Sequence, residues 1–110
     1  MDGQLRKQVL AVLELIADGV AQISYQQCAP GVSVSDELFN QWDDVYVPET
    51  SDFDSAFAPD ERRALERFAK VLDAVGRRTP QHLPPLQVFQ GSPEWRTLSE
   101  AAREALTSIR

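Results

Sequence analysis

The chain has 110 residues, 43% of them hydrophobic, with 17 acids against 11 bases and a net charge of -6. That is enough for one small globular domain, expected to span 1–110, and too little for two. The charge is unevenly spread: from Gln8 to Glu61 every charged residue is a carboxylate, whereas from Arg62 onward nine bases face five acids. An acidic first half argues against nucleic acid, whose binding needs clustered Lys and Arg to displace counterions.

Leu5, Val9, Val12, Leu13, Ile16, Val20 and Ile23 recur at steps of three and four, the stripe of an amphipathic helix. Their common phase predicts one long helix from Gln4 to about Gln27, with a break at Asp18-Gly19 as the alternative, since an interior glycine often marks a helix end. Glu14 and Asp18 interrupt the apolar run, so no signal peptide or membrane span is expected. Pro30-Gly31 is a turn signal. Ser35 offers a cap, and Asp36 to Asp44 reads as a short helix with Leu38, Phe39 and Trp42 inward. Val45 to Pro48 then leaves it in extended conformation.

Glu49 to Ala58 reads as a loop anchored by Phe53 and Phe57. Pro59 suits the first position of the clearest helix, with Asp60 and Glu61 in its first turn and Leu65, Phe68, Ala69, Leu72 and Val75 as its stripe. Gly76, Arg77 and Arg78 mark its end. The prolines at 80, 84 and 85 make Thr79 to Gly91 a stiff linker with one helical turn at Leu86 to Phe89. Ser92 caps a last helix from Pro93 to about Ser108, with Trp95, Leu98, Ala102, Ala105, Leu106 and Ile109 inward. The fold class expected is all-α, a small antiparallel bundle of three substantial helices and one short one. The alternative is α+β, with a hairpin within 32–47.

Motifs for chemistry are weak. An EF-hand loop started at Asp52 places Asp54 correctly, but then Ala56, Phe57 and Arg63 fall where a ligand, a glycine and a bidentate Glu are required. Asp43-Asp44, or Asp52 with Asp54, would need contrasting environments to act as a catalytic pair, and a solvated segment supplies none. His82 is the sole histidine and Cys28 the sole cysteine, which cannot form a structural zinc site. Cys28 reads as a small buried hydrophobe, and the absence of a disulfide pair points to a reducing, cytoplasmic setting. No cofactor is expected.

Aromatic residues interleave with the acids, as they do where anchors sit inside a charged rim. The expected partner-binding surface comprises Asp43, Asp44, Glu49, Asp52, Asp54, Trp42 and Tyr46, and its partner is expected to be a basic protein that relieves carboxylate self-repulsion. Immunity proteins, antitoxins and inhibitors share this physical type, small, acidic and cofactor-free, although no motif links the chain to them. Two other readings stand beside it. One is a small metal-assisted enzyme using carboxylates of the 43–61 segment. The other is a homodimer packed through the first helix, whose apolar face includes Leu10 and Leu15.

Overall fold

In the computed structural model, which describes residues 3–79 and 83–109, the chain is all-helical. Seven helices are present among the described residues: α1 (Gln4–Ala17), α2 (Gly19–Cys28), α3 (Val34–Val45), α4 (Ser51–Ala56), α5 (Pro59–Arg78), α6 (Leu86–Gln90) and α7 (Pro93–Ile109). The expected count of three long helices and one short is therefore too low. Helix α7 packs against both α1 and α5, and α3 packs on α1. Val9, Leu13 and Ile16 of α1 meet Leu65, Leu72 and Val75 of α5 and Leu98, Ala102 and Leu106 of α7 in one core. The apolar stripes of α5 and α7 face inward as their spacing predicts.

At Asp18-Gly19 the alternative reading holds, and the single long helix does not. Instead of one helix to Gln27, the chain turns by 98° between α1 and α2. Asp18 adopts extended geometry, and its Oδ1 accepts from the N–H groups of Val20 (3.0 Å) and Ala21 (3.2 Å), capping α2. Apolar phase continues across the break, but it carries no burial: Val20 is 74% and Ile23 44% exposed. The residue α2 does bury is Gln22. Its Nε2 donates to the Leu15 and Ile16 carbonyls at the end of α1 (2.9 and 3.1 Å), and its Oε1 accepts from Trp95 Nε1 and Gln90 Nε2, both at 3.0 Å. A fully buried amide thus ties the corner to α6 and α7. Gly19 lets the Trp95 ring pack closely against the same corner, since a Cβ there would lie 3.2 Å from the ring and the ring would have to shift by a few tenths of an ångström.

Because α2 leaves the core, Cys28 at its C-terminus is exposed and not the buried hydrophobe expected. Helix α3 begins one residue before Ser35: Ser33 is the cap, accepting from Asp36 N–H at 3.4 Å. Ser35 is buried, and its hydroxyl donates to the Pro84 carbonyl at 2.9 Å. Helix over Val34–Val45 overturns the hairpin alternative within 32–47, and no strand occurs among the described residues. The expected loop after Glu49 contains α4, capped by Thr50 Oγ1 accepting from Phe53 N–H. Phe53 and Phe57 are buried there, as expected. Leu10 and Leu15, assigned above to a dimer face, are partly buried against the core.

Candidate functional site

An aromatic ladder underlies the acidic segment. Phe68 of α5 meets Trp42 of α3 edge-on at 4.7 Å between centroids, Trp42 stacks on Tyr46 at 4.8 Å, Tyr46 meets Phe53 edge-on at 5.6 Å, and Phe53 meets Phe57 at 5.1 Å. Each such pair contributes about 0.5–1.5 kcal/mol beyond its area burial. Trp42 is only 1% exposed. It belongs to the core and supports the surface from beneath, so the expectation that it contacts a partner is corrected. Tyr46 is half-buried and keeps a surface edge.

The expected acids do not form one face. Asp43 and Asp44 are exposed in the last turn of α3, a helix with no base in that turn. Loss of solvation, followed by the charges of Asp73 on α5 and of Asp44, pushes the Asp43 carboxyl above its ordinary value. Burial also raises the Tyr46 phenol, and the neighbouring charges of Glu66, Asp73 and Glu49 raise it further. Asp73 thus acts on both Asp43 and Tyr46, linking Asp43 and Asp44 on one side to Glu66 and Glu49 on the other in a loose acidic set, the Tyr46 cluster.

Asp52 and Asp54 part company. Asp52 lines a hollow with Gln4, Leu5 and Gln8 of α1, whereas Asp54 borders another with Tyr46 and Glu66. Asp54 lies 3.8 Å from Arg62 Nε, and Arg62 also donates to the Asp54 and Phe57 carbonyls. Arg62 and Arg63 therefore border the Tyr46 cluster on one side. Glu61 is a structural acid: both its oxygens accept from Arg6 at 2.9 Å, and Oε1 also accepts from Ala58 N–H at 2.9 Å. The Arg6 hydrogen bonds hold the Glu61 carboxyl below the usual carboxylate range. Arg6 also lies over the Phe57 ring, 5.4 Å from its centroid, joining α1 to the α4–α5 junction.

Glu66 and Asp73 were missed in sequence because they lie in the mixed-charge second half. Their spacing of seven, off the apolar stripe, did place both on one side of α5. That this side borders α3 is a tertiary fact.

Among the described residues, no three His, Cys, Asp or Glu side chains are placed to hold a metal ion. His82 lies outside the described residues. No single described helix is long and apolar enough to cross a membrane. Comparisons with protein-family profiles, curated proteins and solved structures returned no match.

Proposed function

We propose that the chain is a non-catalytic binding domain whose Tyr46-centred acidic cluster engages a basic protein partner, in the manner of an immunity protein, antitoxin or inhibitor. One observation carries this reading: Asp43 and Asp44 stand where the fold gains nothing from them. The last turn of a helix is the negative end of its dipole, so carboxylates there are unfavourable, and Asp73 adds repulsion from across the helix pair. Asp36 and Glu37, by contrast, suit the first turn of the same helix. An arginine- or lysine-rich surface docked on the cluster would relieve the repulsion, with Tyr46 as a partly exposed aromatic contact.

The test is titration with a fluorescent arginine-rich peptide at two ionic strengths. Wild type should bind and weaken steeply as salt is added. A variant carrying Asp43→Asn, Asp44→Asn and Asp73→Asn should lose most of that affinity. A control with the same loss of charge, Glu37→Gln, Asp52→Asn and Asp60→Asn, should keep it. Equal binding by the two variants would reduce the effect to net charge and refute a localised site.

A further inference from the structure

An open hollow of about 330 Å³ lies where the turn after α3, helix α4 and the start of α5 meet, and Tyr46, Asp54, Arg62, Arg63 and Glu66 line it. Its charged groups are not equivalent. Arg62 is engaged, since Nη1 donates to the Asp54 and Phe57 carbonyls at 3.1 and 2.7 Å and Nε lies 3.8 Å from Asp54 Oδ1. Arg63 and Glu66 are exposed, and neither side chain has a hydrogen bond or ion pair among the described residues. The charges acting on the Tyr46 phenol are those of Glu66, Asp73 and Glu49, so the hollow is negative at its Tyr46 end although two arginines border it. An anion is repelled there, and an apolar side chain would cover Glu66 without pairing it. A cation with an aromatic-compatible face satisfies both the ring and the carboxylate.

We propose that this hollow seats the side chain of one arginine of the basic partner, its guanidinium packed on the exposed part of the Tyr46 ring and paired with Glu66. The inference rests on the function proposed above and specifies the group that the partner presents. Volume limits the count: about 330 Å³ is at the low end for a ligand site, room for one long side chain and too little for a helix. Chemistry selects arginine over lysine. A guanidinium is planar, weakly hydrated, stacks on aromatic rings and can donate two parallel bonds to a carboxylate, whereas an ammonium is a strongly hydrated point charge. The seat is also preformed. Trp42 stacks on Tyr46 at 4.8 Å and Phe53 meets it edge-on at 5.6 Å, while Pro48 and Pro59 stiffen the backbone of the wall, so little order is lost on binding. Unpaired Arg63 opposes a second cation beside the first.

The test compares two fluorescent peptides of equal length and charge, one built on arginine and one on lysine, titrated against the whole chain at low salt. Wild type should prefer the arginine peptide by about fivefold. Glu66→Gln, at an exposed position the fold does not use, should reduce that preference to about twofold or less, and Tyr46→Leu should do the same. Tyr46→Phe keeps the ring and should keep the preference. Glu37→Gln removes the same charge elsewhere and should also keep it. Each preference is a ratio measured on one variant, so a loss of stability or of net charge alone leaves it unchanged, and circular dichroism confirms that the helices are intact. A preference that survives either Glu66→Gln or Tyr46→Leu overturns the inference. Wild type that binds both peptides equally, and loses both on Asp43→Asn, Asp44→Asn and Asp73→Asn together, overturns the arginine seat and leaves the binding function standing. Wild type that binds neither overturns the binding function and the seat with it.

Discussion

Replacing Gln22 by Leu tests whether the corner between α1 and α2 is held by hydrogen bonds. The leucine keeps apolar bulk and removes four bonds of 2.9–3.1 Å. Gln90 keeps the Gly19 carbonyl at 3.0 Å and Leu15 O keeps Asp18 N–H at 3.3 Å, so the heaviest losses fall on Trp95 Nε1 and the Ile16 carbonyl. A buried polar group left without a partner costs about 1–3 kcal/mol, and the leucine recovers roughly 1.5 kcal/mol of apolar burial. Two such groups, one of them partly reachable by water, leave a net destabilisation of about 2–3 kcal/mol. For a domain of this size that lowers the melting temperature by roughly 10–15 °C. Urea denaturation measures the loss directly. Trp95→Phe, which deletes only the indole N–H donor, should cost at least about 1 kcal/mol less in the Gln22→Leu background than in wild type. A loss below about 1 kcal/mol, or strict additivity of the two substitutions, would show that packing holds the corner.

Ala58 precedes α5 in extended geometry with its N–H already bound by Glu61, and has no oxygen to return the bond. Ala58→Ser should complete the capping box and raise stability by about 0.5–1 kcal/mol, and a fall in melting temperature would contradict it. Glu61→Gln should cost about 1–2 kcal/mol at neutral pH, discounted because Arg6 is partly exposed. The Glu61 carboxyl lies below its ordinary value, so its stabilisation is complete above about pH 4.3 and is lost as pH falls through the lower folded value. The gap between wild type and variant should therefore narrow as pH falls below the ordinary carboxylate range, and a gap independent of pH would exclude an ionic origin. Asp43 has the opposite sign: its raised carboxyl is destabilising when ionised. Asp43→Asn should stabilise at neutral pH by up to about 0.5 kcal/mol, with the gain vanishing below about pH 3.9, and chemical denaturation at both pH values checks it.

Where helices lie was largely legible, whereas the turn at Asp18-Gly19 was legible only as one of two alternatives. Pro59 and Ser92 mark the starts of α5 and α7 because proline and serine act on adjacent backbone. Asp18 is as local a signal, yet Val20 and Ile23 continued the stripe and pointed the other way. Periodicity records which residues share a face, and cannot say whether that face meets anything. The acidic site shows the same limit. Asp43 and Asp44 are visible in sequence, whereas Glu66 and Asp73 join them only through the packing of Trp42 on Phe68.

The sequence by itself favoured an all-helical fold, and it determined the inward stripes of α5 and α7 and the division between an acidic first half and a mixed second half. Those properties follow from side-chain chemistry and spacing of a few residues along one backbone. Tertiary structure alone decided that Gln22 is buried while Val20 is exposed, that Trp42 is core, and that Asp54 and Glu61 are matched by arginines while Asp43 is crowded by acids. It also decided that α2 and α6, far apart in the chain, pack on one another. Burial and electrostatic environment depend on which elements meet, and here a 98° turn at one capping aspartate, Asp18, helps set which ones do.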